Sequence, residues 1–129
     1  MKIFLALLIL SGTLSLSSCE KEEVKNSDIV KSAIIKAEGP TSGTVGQEIA
    51  LQITLQGNNG CAVSGELQES ADGNTRTIKG TVTYKGEICH QALVSVTKIY
   101  TFKANTAGTY NLKFVKADDT FISHTIIVN

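Results

Sequence analysis

Residues 48–56 have the sequence EIALQITLQ, in which every odd position is aliphatic and the even positions are mostly polar. Successive side chains of a β-strand point to opposite faces, so a period of two places all the aliphatic side chains together. The stretch is therefore predicted to be a strand with one face in a hydrophobic core and the other in water. Gly57-Asn58-Asn59-Gly60 follows it directly, and its Asn-Gly pair favours a tight reversal of the chain.

The same period of two continues on both sides of this strand. Turn signals recur at intervals of roughly 8–12 residues, as in sandwich folds. They are Asp72-Gly73-Asn74, Lys85-Gly86-Glu87, Asn105–Gly108 and Asp118-Asp119. Gly80 falls inside one predicted strand and is expected to mark a bulge or a close approach of another segment. The further predicted strands are Ile29–Ala37, Cys61–Leu67, Ile78–Tyr84, Leu93–Lys103, Tyr110–Phe114 and Phe121–Val128. Residues 93–103 are expected to form either one long strand or two short ones.

Seven or eight short strands without helical periodicity predict an all-β fold, an antiparallel β-sandwich over residues 29–129. Parallel strands need long crossover connections, which are usually helices. Because no segment has a helical pattern, we expect the strands to pair antiparallel.

Length and charge exclude several classes of protein. A chain of 129 residues allows one domain and excludes a multi-domain enzyme. The 12 basic and 12 acidic side chains balance, whereas nucleic-acid binding needs a basic surplus or a basic face. Residues 29–129 carry 9 basic and 8 acidic side chains, so this domain is not expected to be steered electrostatically to a partner.

The first 18 residues are predicted to be a signal peptide that forms a helix ahead of the domain. Lys2 gives the segment a positively charged N-terminal region, and residues 3–10 are all apolar. This apolar run is shorter than the roughly 20 residues that a membrane-spanning helix needs, and its flanks are typical of a secretory signal.

The end of that segment, Leu16-Ser17-Ser18-Cys19, resembles the lipobox of bacterial lipoproteins. The resemblance implies that the Cys19 thiol receives a diacylglycerol, that the chain is cut just before it, and that the new amino group is acylated. Multiple acyl chains anchor a protein far more firmly than one, at about 0.8 kcal/mol per buried methylene. The membrane is thus the first expected partner, through the N-terminal acyl chains.

Residues 19–28 are predicted to be the lipidated cysteine and a flexible acidic tether. The segment after Cys19 is charged and has no periodicity, which is typical of a flexible linker. Lys21-Glu22-Glu23 is similar to the export signal of surface-exposed lipoproteins of the Bacteroidota. This resemblance implies a bacterial envelope location, at the outer membrane and on the cell surface. A plain linker on a periplasm-facing lipoprotein is the alternative.

The remaining cysteines are Cys61 and Cys89, which an oxidising envelope is expected to join in a disulfide. Two cysteines alone do not complete a tetrahedral zinc site. His90 adjoins Cys89, but neighbours in a strand point to opposite faces. A catalytic thiol remains an alternative, although a free thiolate is exposed to oxidation in this compartment.

The segment Ala107-Gly108-Thr109-Tyr110-Asn111-Leu112 resembles the tyrosine corner of immunoglobulin-like domains. The resemblance implies an immunoglobulin-like sandwich in which the Tyr110 hydroxyl bonds a backbone group of the preceding loop. It also implies that Cys61 begins strand C and that Cys89 lies in the connection that follows. The chain has no Trp, unlike antibody domains. It is similar to small single-domain lipoproteins of the Bacteroidota.

Residues with catalytic chemistry are scarce, so the chain is predicted not to be an enzyme. His90 and His124 have no metal-binding spacing, and no calcium loop, phosphate loop or serine elbow is present. Asp118-Asp119 is explained by a hairpin turn. No catalytic residue, metal site or cofactor is expected.

Binding through end loops is the function that remains, with an unidentified protein or glycan as partner and no nucleic acid. The domain is expected to be a lipid-anchored binding or structural module. The candidate contact residues lie in four turns: Asn58, Asn59, Gly60, Gly86, Glu87, Asn105, Thr106, Asp118 and Asp119.

The order of elements from Val45-Gly46-Gln47-Glu48-Ile49 to Phe102 and Phe114 also resembles chagasin-type inhibitors of cysteine proteases. That resemblance implies inhibition through end loops as the alternative function. Gly57-Asn58-Asn59-Gly60 lacks the inhibitory Asn-Pro-Thr-Thr-Gly sequence of that family, so no inhibitory residue is assigned.

Overall fold

The computed structural model describes Val30, Lys31 and residues 33–129. The predicted signal peptide, Cys19 and the predicted tether therefore lie outside the described residues. Within the described part of the chain, no helix has the length and apolar character needed to cross a bilayer. The strands are β1 (Val30–Lys31), β2 (Ala33–Glu38), β3 (Ser42–Gly43), β4 (Glu48–Gly57), β5 (Ala62–Asp72), β6 (Thr75–Tyr84), β7 (Val94–Lys103), β8 (Gly108–Val115) and β9 (Phe121–Val128).

These strands form two sheets that pack as a β-sandwich. One sheet has the order β2-β4-β7, and both of its pairings are antiparallel. The other has the order β1-β6-β8-β9-β3, with β5 paired to β6. The predicted all-β sandwich is thus confirmed, and the 94–103 segment forms one long strand.

The core lies between the two sheets and is built from the alternating positions. Ile49, Leu51, Ile53 and Leu55 of β4 are all buried, as their period of two predicts. The opposite sheet contributes Leu112 and Phe114 of β8 and Ile126 of β9. Aromatic side chains fill the space between sheets with edge contacts, and the ring centroids of Phe102 and Tyr110 lie 5.2 Å apart.

Gly80 marks a close approach between the sheets, which is one of the two outcomes that the sequence predicts. A Cβ atom at this position would overlap Cδ2 of Leu55, which is fully buried. Gly65 contacts the same leucine, because a Cβ there would lie 2.6 Å from Leu55 Cδ1. The two glycines on neighbouring strands therefore form the socket that receives Leu55.

Two strand pairs are parallel, so the expectation of antiparallel pairing does not hold throughout. β3 pairs parallel with β9, and β6 pairs parallel with β8 through residues 75–78. The β6–β8 crossover is made by β7, a strand of the opposite sheet, rather than by a helix. A sandwich supplies this connection because its second layer covers the sheet as a crossover helix does.

The strand predicted over residues 29–37 is divided between the two sheets. β1 pairs with β6, whereas β2 pairs with β4 in the other sheet. A register shift also falls between Ile34 and Lys36, which explains why the alternation is least regular here.

The predicted strand Cys61–Leu67 is confirmed except at its start, where its period of two is interrupted. β5 begins at Ala62, and a register shift between Ala62 and Ser64 leaves Val63 outside the paired positions. Val63 is exposed as a result, whereas Leu67 packs against the core.

Candidate functional site

Three connections lie toward one end of the sandwich, which we call the disulfide end. They are residues 58–61 after β4, residues 85–93 after β6 and residues 116–120 after β8. The first two lie together because Gly57 pairs with Val94 and Ala62 pairs with Tyr84. The third points the same way because β8 runs parallel to β6, and it is set back along the sheet because that pairing ends at Ile78.

Cys61 and Cys89 form the predicted disulfide, with their Cα atoms 5.2 Å apart. The bond joins the connection before β5 to the connection after β6, so Cys89 follows the whole β5–β6 hairpin and not the single strand that Cys61 precedes. It therefore brings the candidate residues Asn58, Asn59 and Gly60 together with Gly86 and Glu87.

Hydrogen bonds fix both connections around the disulfide. The Gly60 N–H donates to the His90 carbonyl at 2.8 Å, and the Lys85 N–H donates to the Cys61 carbonyl at 2.9 Å. The Asn59 side-chain oxygen accepts from the Cys61 N–H at 3.0 Å. These bonds make the disulfide end a defined surface rather than a set of loose loops.

Tyr84, the last residue of β6, connects the disulfide end to the sheet through a hydrogen bond. The Tyr84 hydroxyl accepts a hydrogen bond of 2.9 Å from the Asn58 N–H. Gly86 adopts a φ of 129°, a conformation that favours glycine, and a Cβ there would lie 2.9 Å from the Cys61 sulfur.

The most exposed apolar side chain among the large hydrophobic residues of this structure is Ile88, on the 85–93 connection. It is 97% exposed, one residue before Cys89. Leu93 at the other end of the connection is 69% exposed, and Val63 of β5 is 53% exposed. Ile88 is not among the residues predicted from the sequence to make contacts. One feature of the sequence could have identified it: Ile88 lies in a turn between Gly86 and Cys89, where no strand pattern requires an apolar residue.

The turn between β8 and β9 accounts for both of its aspartates structurally. The Asp118 carboxylate accepts hydrogen bonds from the Thr120 hydroxyl at 2.5 Å and the Thr120 N–H at 3.1 Å. These two bonds to Thr120 hold the pKa of Asp118 below its ordinary value. Asp119 has a φ of 62°, a left-handed conformation that aspartate tolerates better than most residues. The hairpin-turn interpretation of this pair is confirmed.

The candidate residues Asn105 and Thr106 lie at the opposite end, which we call the tyrosine-corner end. There the Tyr110 hydroxyl donates to the Thr106 carbonyl at 2.8 Å and lies 2.9 Å from the Thr106 hydroxyl. The contact implied by the tyrosine-corner resemblance is thus confirmed. The structure separates these two candidate residues from those around the disulfide.

A polar cluster that the sequence analysis missed lies within the sandwich. The Tyr100 hydroxyl donates to the Glu69 carboxylate at 2.6 Å, and Arg76 Nε lies 3.2 Å from that carboxylate. Burial, together with the bond to Glu69, raises the pKa of Tyr100 well above its ordinary value of 10.0. Alternation identifies Tyr100 as a core residue, but the partner of its hydroxyl depends on how β5 packs against β7.

Neither histidine of the domain belongs to a metal-binding group. Among the described residues, no three His, Cys, Asp or Glu side chains lie close enough together to hold a metal ion. His124 Nε2 instead lies 2.9 Å from the Pro40 carbonyl oxygen. The predictions that the chain has no catalytic residue and no cofactor stay predictions.

Comparison with known proteins identifies the domain but no individual relative. A family model described as the ORF11 beta-sandwich domain matches residues 51–128, which is more than half of the chain. No curated protein and no solved structure matches the chain. The match extends from the middle of β4 to the end of β9, so it includes both the disulfide end and the tyrosine corner. The chain belongs to the ORF11 beta-sandwich domain family.

Proposed function

We propose that the chain is a lipid-anchored, non-enzymatic module of a bacterial envelope, held at the outer membrane and displayed on the cell surface. It binds or supports a protein or glycan component of its surroundings. The observation that carries the proposal is the sequence Leu16-Ser17-Ser18-Cys19, separated by ten residues from the first described strand of a β-sandwich. This is the layout of an acylated cysteine, a short tether and one folded domain.

Tethering is the mechanism in this proposal. Acyl chains confine the domain to a layer near one membrane, which raises its effective concentration toward anything else held there. Residues 29–129 carry 9 basic and 8 acidic side chains, so confinement rather than long-range attraction brings the domain to its partner.

Structural roles of the reactive side chains support a binding role over catalysis. Cys61 and Cys89 are joined in a disulfide, so neither acts as a nucleophile in this form. His124 contacts the Pro40 carbonyl, and the Asp118 carboxylate is bonded within its own turn. The side chains that could in principle take part in catalysis thus make structural contacts within the sandwich.

The tyrosine-corner end presents the contact residues that an anchored domain can offer to solution. Val30 pairs with Val82 near the opposite, disulfide end, so Asn105 and Thr106 lie far from where the chain enters the domain. Tyr110 holds this loop by its bond to the Thr106 carbonyl, so the loop is ordered before it meets a partner.

Membrane fractionation of Cys19→Ser tests the anchor. The parent chain is expected in the membrane fraction and in the detergent phase of a phase-separation assay, and the variant is expected to lose both properties. Ser18→Ala is the matched control, because it keeps a small residue before the cysteine and leaves the thiol intact. A parent chain in the aqueous phase, or a variant that stays in the detergent phase, would contradict the proposal.

Protease treatment of intact cells tests the surface orientation. The domain is expected to be removed from intact cells, and replacing Lys21-Glu22-Glu23 with alanines is expected to leave the chain anchored but protected. Protection of the parent chain until the cells are lysed would place it on the periplasmic side instead.

A further inference from the structure

The disulfide end displays aliphatic side chains that nothing in the described domain covers. Ile88 is 97% exposed, Leu93 is 69% exposed and Val63 is 53% exposed. Single exposed hydrophobic residues are ordinary, but these three lie on the two chain segments that the disulfide joins, and clustered apolar side chains mark surfaces that meet another apolar phase.

These side chains are held outward by a rigid local structure. The Cys61–Cys89 disulfide lies next to Ile88, and the Cys61 sulfur is 3.7 Å from the Ile88 carbonyl oxygen. On the other side of Ile88, the Lys85 N–H donates to the Cys61 carbonyl at 2.9 Å and holds the start of the connection. Because the backbone is pinned on both sides of Ile88, the connection does not fold back to bury that side chain in its own core.

The chain enters the domain at this same end. β6 runs toward the disulfide end, and β1 is antiparallel to it, so Val30 is the end of β1 nearer to the disulfide. The ten residues between Cys19 and Val30 span at most about 35 Å, at about 3.4 Å per residue. An acylated Cys19 therefore keeps Val30, and with it the disulfide end, within about 35 Å of the acyl chains.

Charge at this end is mixed and nearly balanced. Lys85, Glu87, Lys116, Asp118 and Asp119 lie in its connections. Two cations against three carboxylates provide no basic patch for anionic headgroups. This balance fits shallow insertion of aliphatic side chains into a lipid layer rather than electrostatic attraction to its headgroups.

We propose that the disulfide end rests on the bilayer that carries the anchor, with Ile88 inserted among the lipid headgroups and acyl chains and with Leu93 and Val63 beside it. This inference rests on the proposed lipid anchor. Its consequence is orientation, because the sandwich stands on its disulfide end and the tyrosine-corner end faces away from the membrane.

Tryptophan fluorescence tests the inference in the full lipidated chain, which contains no Trp of its own. The variants are Ile88→Trp and, as a matched control, Val45→Trp. Val45 is 47% exposed and lies at the tyrosine-corner end, where its N–H bonds the Asn129 carbonyl. Each variant is reconstituted in vesicles of phosphatidylcholine with and without brominated acyl chains, which quench tryptophan only at short range.

The expected result is blue-shifted emission from Ile88→Trp, quenched by the brominated lipid, and water-like, unquenched emission from Val45→Trp. Equal emission and equal quenching for the two positions would overturn the inference. So would unquenched emission from Ile88→Trp, which is also the result expected if this end binds a protein instead.

Vesicle flotation separates failure of the inference from failure of the proposed function. If the lipidated Ile88→Trp chain floats with the vesicles while its indole stays in water, the docking surface is refuted and the anchor stands. A chain that does not float refutes the anchor itself. Ile88→Ser, measured by hydrogen exchange of residues 85–93 on vesicles, gives a second readout, with faster exchange than the parent chain expected. Equal exchange of the two chains on vesicles counts against the inference.

Discussion

The hydroxyl of Tyr110 bonds the Thr106 carbonyl and fixes the loop that leads into β8. Tyr110→Phe removes this bond and leaves the carbonyl in a partly buried site without its donor. We expect the free energy of unfolding to fall by about 1–2 kcal/mol. Urea unfolding followed by circular dichroism measures the change. Thr106→Ala is the control, because it keeps the carbonyl and is expected to lose less stability. Equal stability of Tyr110→Phe and the parent chain would show that the bond is incidental.

Gly80 receives the side chain of Leu55, and a Cβ atom at position 80 would overlap it. Gly80→Ala is therefore expected to destabilise the sandwich by about 1–3 kcal/mol through overpacking of the core. Combining it with Leu55→Ala removes the overlap, so the loss in the double variant is expected to be smaller than the sum of the single losses. Additive losses in that double-mutant cycle would contradict the proposed socket.

The Tyr100 hydroxyl titrates at a higher pH in the folded domain than in the unfolded chain, because burial and the bond to Glu69 raise its pKa. Above about pH 10 the unfolded chain loses this proton while the native state keeps it. Stability is therefore fully present below about pH 10 and falls as the pH rises beyond it. Tyr100→Phe is expected to be less stable at neutral pH but to lose less stability on going to alkaline pH. The free energy of unfolding of both chains is measured by urea titration at several pH values. If it falls equally with rising pH in the two chains, Tyr100 is not the cause of the alkaline loss of stability.

At the residue scale, the sequence predicts contacts that depend on local spacing and misses those that depend on packing. The Tyr110 bond spans four residues and has a recognisable local pattern. The Tyr100–Glu69 bond spans 31 residues and forms only where β5 crosses β7. No alternation in either strand indicates that second pairing, because alternation gives the face of a side chain and not its partner.

At the scale of elements, the disulfide joins the two ends of the β5–β6 unit. It closes a loop with a sequence separation of 28 residues. Removing the bond in the double variant Cys61→Ala, Cys89→Ala frees the unfolded chain and is expected to lower stability by about 3.5 kcal/mol. Guanidinium unfolding measures the loss. A loss of stability below about 1 kcal/mol would mean that the hydrogen bonds of Gly60 and Lys85 are enough to keep the disulfide end in place without the disulfide.

Strand existence is largely predictable, whereas strand neighbours are not. Hydrophobic alternation identifies β4, β7, β8 and β9 because each has one face in the core. Alternation gives no information about which strand lies beside another in the sheet. It therefore does not reveal that β6 pairs parallel with β8. The same limit hides the division of residues 30–38 between two sheets, which depends on where the chain crosses from one layer to the other.

At the scale of the whole molecule, the two ends of the sandwich differ in chemistry. The disulfide end exposes Ile88 and Leu93 and receives the chain at Val30. The tyrosine-corner end carries the ordered loop with Asn105 and Thr106. The sequence predicts the residues of both ends but not that they lie apart, because that separation follows from the strand directions.

In the proposed function, a lipid anchor at Cys19 gives this difference between the two ends its functional meaning. Intact mass spectrometry of the protein extracted from native membranes tests the anchor most directly, with a sample reduced in parallel to count free thiols. A lipid anchor and a disulfide predict a chain that begins at Cys19, heavier than its amino acids by a diacylglyceryl and an acyl group, with two thiols appearing only after reduction. A mass equal to that of the unmodified polypeptide would contradict it.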